Sequence, residues 1–130
     1  MAGTLLLDSE GLSKLYRGDR AVVTWVEAAR LENIRVGTTT MTRLEAEHGR
    51  LPKNRISWTL SRLEVHEITR RVSDDAAELL RTHSLHGHKY AVDAVLAAVA
   101  RAARPPVTVL TSDTEALTLL CGPGIAVVAV

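Results

Sequence analysis

Cysteine is nearly absent from this chain. Cys121 stands alone among 130 residues, which excludes an internal disulfide framework and any cysteine-rich zinc module. That usage suits a reducing compartment, so the cytoplasm is the expected location. Phenylalanine is missing altogether, and Tyr16, Trp25, Trp58 and Tyr90 are the only aromatic rings. Four rings are too few for the stacking sheets with which RNA-recognition and oligonucleotide-binding folds hold bases. An excess of charge of either sign is lacking too. Sixteen Lys and Arg against fifteen Asp and Glu leave a formal net charge of +1, so any hold on nucleic acid or anionic lipid must come from local clusters. Long apolar runs are equally scarce. Tyr90 to Ala103 is interrupted by Asp93 and Arg101 and is too short to span a bilayer, so no membrane partner is expected. Met1 to Leu7 lacks the basic start of a secretory leader. No phosphate-cradling G-x-x-x-x-G-K-[ST] or G-x-G-x-x-G pattern occurs, and no G-x-S-x-G elbow.

What is present supports one domain over residues 1–130, 46% hydrophobic and 24% charged, a composition that folds. The run Thr4 to Leu7 reads as a buried strand that ends at Asp8. A short helix follows from Glu10 to Tyr16 and closes at Gly18, and Asp19 caps a second that runs to about Glu32. Ile34 to Val36 reads as a weak strand, Thr38 to Glu47 as a helix, and Lys53 to Arg62 as another that turns Ile56, Trp58, Leu60 and Leu63 toward one face. Leu63 to Ile68 alternates as a half-buried strand does. Ser73 caps a helix through about Thr82, with Asp74 and Asp75 in its first turn. After the polar loop His83 to Lys89 comes a nearly all-apolar helix, Tyr90 to Ala103, stopped by Pro105-Pro106. Val107 to Leu110 is a buried strand, Asp113 to Leu120 a short helix, and Ile125 to Val130 a last strand. Strands alternating with helices at these spacings indicate an α/β parallel sheet with helices on both faces.

Four acids resist a surface or capping explanation. Asp8 and Asp113 each follow an apolar strand at its carboxyl end, the edge where open parallel sheets bind ligands. Asp93 sits in a helix that is apolar all round, with no Lys or Arg one turn on toward the C-terminus, and a buried carboxylate needs a partner. Glu45 lies near Met41 and Leu44, where a solvated helix residue is the competing reading. Glu47 is about 200° away from Glu45 around a helix, so the two cannot share a cleft.

In order, Leu-Leu-Leu-Asp8-Ser9, Thr42-Arg43-Leu44-Glu45, Tyr90-Ala91-Val92-Asp93-Ala94 and Leu110-Thr111-Ser112-Asp113 resemble the four acidic stations of the PIN domain. The pattern is most similar to VapC-type toxins, the ribonuclease halves of bacterial toxin–antitoxin pairs, and it runs over essentially the whole chain. The resemblance implies a three-layer α/β/α sandwich with a central parallel sheet of about five strands. It also implies hydrolysis of RNA phosphodiester bonds with Mg²⁺ or its substitute Mn²⁺, a small antitoxin as partner, and a homodimer. Carried over by position, Asp8, Asp93 and Asp113 would hold the metal, directly or through water, and Glu45 would complete the catalytic cluster. Ser9 and Ser112 would be supporting donors. Glu10 departs from the family's usual small neutral residue and is expected to face solvent. All-oxygen ligation suits Mg²⁺ or Mn²⁺, not Zn²⁺, and a metal-bound water as nucleophile needs no histidine base.

The other clusters carry less. His83, His86 and His88 lie in one loop with no second element to complete a zinc site, so His86, His88 and Lys89 are better read as groups offered to a substrate phosphate. Arg43, Arg50, Lys53, Arg55 and Arg62 form either a solvated face or a rim that tracks phosphates. Two rivals stand beside the ribonuclease: a catalytically silent PIN-like module that binds RNA or a partner, and a phosphotransfer domain, which also places an Asp after its first strand. The second rival lacks the D-x-D start of a dehalogenase-like phosphatase, and also the paired acids and late lysine of a receiver.

Overall fold

The computed structural model describes residues 3–130; the leader expectation rests partly on Met1 and Ala2, which lie outside them. The first strand, β1 (Thr4–Leu7), is buried along its whole length because it is the central strand of the sheet. On its two sides lie β2 (Arg35–Thr39) and β4 (Val107–Thr111), and β3 (Glu64–His66) and β5 (Ala126–Ala129) form the edges, in the order β3-β2-β1-β4-β5. Every pairing is parallel, with Leu5 beside Val36 and Leu6 beside Val109. Such a sheet must be covered on both faces. Leu5 and Leu7 join one core, with residues of α1 (Ser9–Tyr16) and α2 (Arg20–Leu31). Leu6 points into the other, against α6 (Gly87–Ala102) and α7 (Thr114–Cys121). Strand alternation thus builds the three layers that the resemblance implies.

The chain leaves β1 toward β2 and β3 on one side, then returns through α5 (Arg70–Thr82) and α6 to β4 on the other side. The order therefore reverses between β1 and β4, and the crevice at their carboxyl ends is where such a sheet accepts ligands. This order also differs from the 2-1-3-4-5 arrangement of receiver domains, which removes that version of the phosphotransfer reading.

Several boundaries differ from the sequence reading. Strand β2 extends to Thr39, taking two β-branched residues from the expected helix, and α3 (Thr40–Ala46) begins only after the Thr39 hydroxyl caps it at Thr42 N. Helix α5 starts at Arg70, capped by Thr69, so Ser73 is no cap and Asp74 and Asp75 are exposed residues within the helix. The earlier start gives Val72 a place against two cores. The last polar-loop residues, Gly87 to Lys89, already belong to α6. In α4 (Lys53–Ser61), Thr59 is buried while Trp58 is 63% exposed, reversing the face expected for the tryptophan.

Gly37 marks a close approach in the sheet. A Cβ there would stand 2.6 Å from the carbonyl oxygen of Glu64 on β3, a backbone atom that cannot swing away. Gly37→Ala should therefore force β3 off β2 and destabilise the fold by about 2 kcal/mol in urea unfolding; an unchanged midpoint would contradict the packing at this edge.

Candidate active site

Asp8 is the first residue beyond β1 and is only 5% exposed. One carboxylate oxygen accepts from Gly11 N at 2.8 Å, which caps α1. The other accepts from the Thr111 hydroxyl at 2.6 Å and from Ser112 N at 3.0 Å. The charge is thus held by a helix N-terminus and by the end of β4. Asp113 is arranged similarly but is exposed. Its N–H donates to the Thr111 hydroxyl at 2.8 Å, and its Oδ1 caps α7 by accepting from Ala116 N at 3.0 Å. Thr111, which the sequence reading passed over, connects the two acids through one buried hydroxyl. Its position two residues before Asp113 was the available signal.

Asp93 reaches the crevice from α6. Its carboxyl group is pushed up to about 6, first by burial and then by the like charges of Asp113, Asp8 and Glu45, in that order. Three acids from three other segments are therefore close enough to act on Asp93. No hydrogen bond to the Asp93 carboxylate occurs among the described residues. Lys89, one turn back on the same helix, lies over the ring of Tyr90 instead, at 5.1 Å. Glu45 is exposed on α3 and accepts a hydrogen bond from the Ser9 hydroxyl.

The neighbouring acids face elsewhere. Glu47 forms a two-pronged ion pair with Arg43, the longer contact 3.1 Å, and lies 3.5 Å from the Tyr16 hydroxyl. Burial, helped by Glu47, pushes that buried phenol above its usual range. Glu10 pairs with Arg17 at 3.4 Å. Of the supporting residues, Ser9 acts through its hydroxyl and Ser112 through its backbone N–H. Lys89 lines a cleft with Asp113, whereas His86 and His88 are exposed and line no cleft described here. Arg55 and Arg62 line a different cleft, between α2 and α4, beside Trp58. Burial sets the Cys121 thiol near 11, so it is no nucleophile.

The donor set suits a hard divalent cation: carboxylate oxygens only, with Asp93 raised by burial and then by its acidic neighbours. As the side chains stand, no three His, Cys, Asp or Glu groups among the described residues surround one point. Holding one ion therefore requires the exposed Glu45 and Asp113 to turn inward, or water to bridge them. Asp8 has less freedom, because both its oxygens already accept hydrogen bonds.

No family model matches the sequence, and no curated protein does. Solved structures resemble the fold over nearly its full length. A chain of VapBC2 from Rickettsia felis, bound to a DNA fragment from their promoter, is 16% identical with a TM-score of 0.70, covering 98% of both chains. A chain of a toxin–antitoxin complex from Klebsiella pneumoniae is 20% identical with a TM-score of 0.72, covering 94% of this chain and 95% of that one. A chain of FitAcB from Neisseria gonorrhoeae is 21% identical with a TM-score of 0.60, covering 95% and 96%. These likenesses establish the fold.

Two predictions follow from the crevice. A group whose folded pKa is raised holds stability that is complete below its unfolded pKa, near 3.8, and is lost as pH rises through about 6. Asp93→Asn should therefore melt higher than wild type in EDTA at neutral pH, by about 7 °C for roughly 2 kcal/mol, and the gap should close toward pH 4. A mutant that melts lower at neutral pH would contradict the crowding. Thr111→Val keeps the shape but strips the shared hydroxyl, and should cost about 2 kcal/mol in urea unfolding; a neutral result would deny it the linking role.

Proposed function

We propose that the chain is the toxin half of a toxin–antitoxin pair and acts as a Mg²⁺- or Mn²⁺-dependent endoribonuclease in the cytoplasm. The observation that carries this reading is Asp93: a partly buried carboxyl group without a hydrogen-bond partner among the described residues, acted on by three further acids at the switch point of the sheet. The fold shared with toxin–antitoxin structures supports it. Asp8, Asp93 and Asp113 hold the cation, directly or through water, and Glu45 completes the cluster with Ser9 fixing its carboxylate. When bound, the cation supplies an activated water and neutralises charge on the phosphate. The N-terminal turns of α1 and α7, which Asp8 and Asp113 cap, fix these two carboxylates at the crevice. Lys89 offers positive charge to the RNA backbone, and His86 and His88 offer ring nitrogens.

The uncompensated acids also imply how a partner would silence the site. An antitoxin Arg or Lys entering beside Asp8 and Asp93 supplies the missing counter-charge. The apolar patch of Met41, Leu44 and Ile68, with Leu44 76% exposed, suits the homodimer contact. Leu44→Glu should then shift the chain from dimer to monomer in analytical ultracentrifugation, whereas an unchanged sedimentation coefficient would place the contact elsewhere.

One observation favours the silent-module reading. Asp8 and Asp113 already have structural work as helix caps, which acids without catalysis would also do. A mixed RNA pool separates the two. The ribonuclease should cut it with Mg²⁺ or Mn²⁺, stop in EDTA, and lose at least about a hundredfold in Asp8→Asn and Asp93→Asn. RNA that binds without being cut supports the silent module, and cleavage unaffected by EDTA and by both substitutions removes the mechanism.

A further inference from the structure

Asp113 itself, with residues at the start of α6 and along α7, lines an open cleft of about 290 Å³. Its walls carry three kinds of chemistry. Leu85, Tyr90 and Leu119 supply its apolar surface, and Leu119 is 47% exposed. Lys89 supplies a cation, its ammonium 5.1 Å from the centre of the Tyr90 ring. Glu115 supplies a carboxylate. Neither Lys89 nor Glu115 forms an ion pair among the described residues. A cation, apolar side chains and a two-oxygen acceptor are the complements of a nucleotide's phosphate, base and donor edge.

We propose that this cleft seats the nucleobase next to the cut phosphate and that Glu115 makes it prefer guanine. The inference rests on the ribonuclease reading for the position of the phosphate. Guanine alone presents two adjacent donors, N1–H and the N2 amino group, which match the two oxygens of one carboxylate. Adenine and cytosine set one amino group beside a ring nitrogen acceptor, and uracil flanks its single N–H with carbonyls. Each of those acceptors would face a carboxylate oxygen and be repelled. Discrimination by one such two-pronged contact is on the order of tenfold.

The test uses the whole chain without metal, with leucine methyl groups labelled for NMR and guanosine or uridine 5′-monophosphate as the probe. Guanosine monophosphate should move the Leu85 and Leu119 methyl signals and bind about tenfold tighter than the uridine analogue. Glu115→Gln, on an exposed helix turn, should fold as wild type and erase that difference, and Tyr90→Leu should weaken both ligands. Equal binding of the two nucleotides, or shifts confined to other leucines, would overturn the proposal. Sequencing of cut ends from the RNA pool adds the functional arm. Guanine enriched at one position beside the cut in wild type, and not in Glu115→Gln, is the expected result; the same preference in both proteins overturns it. Guanine-selective binding without any cleavage would keep the subsite and sink the ribonuclease reading.

Discussion

The carboxylate of Asp8 stitches three parts of the chain together. With one oxygen it caps α1, and with the other it accepts from the Thr111 hydroxyl and the Ser112 N–H, more than a hundred residues away at the end of β4. These bonds fix the crevice at the point where the strand order reverses, and they do so with a buried charge. Hydrogen bonds to an ionised group are the strong ones, and breaking one partner of a buried charge costs more than the bond itself contributes. The same contacts place Thr111 so that its oxygen also accepts from Asp113 N, which sets the start of α7. The position of one wall of the crevice thus follows from the position of the other.

Asp93 is the converse case. Where Asp8 is satisfied, Asp93 is partly desolvated, accepts no hydrogen bond among the described residues and faces like charges. A domain of this size has only a small margin of stability, so carboxylates gathered in this way are costly unless something positive spends time among them. A divalent ion, a partner's guanidinium or a retained proton would each serve. The account assigns the first to activity and the second to inhibition, and it leaves the third to the free protein below about pH 6.

Much of this was legible from the residues because burial leaves a local trace. The apolar runs Thr4 to Leu7 and Val107 to Leu110 mark the central strands, and a charge inside an apolar helix marks Asp93. What depended on pairing distant segments was not legible. The Thr111 hydroxyl acquires its role only when β4 lies beside β1. The cleft with Tyr90 and Glu115 exists only because α6 and α7 begin side by side. The loop's end was misplaced for a local reason: α6 starts at Gly87, so His88 is helical while His83 follows the end of α5. Ser73 reads as a cap from its neighbours alone, but α5 starts one turn earlier, behind Thr69, where Val72 packs against two cores.

Carboxyl ¹³C NMR of Asp93 through a pH titration, in EDTA and again with saturating Mg²⁺, tests the central claim most directly. The account predicts a midpoint of about 6 without metal and a fall of at least about one pH unit with it, as the cation replaces the proton among the four acids. A midpoint at the ordinary aspartate value, unmoved by Mg²⁺, would contradict it.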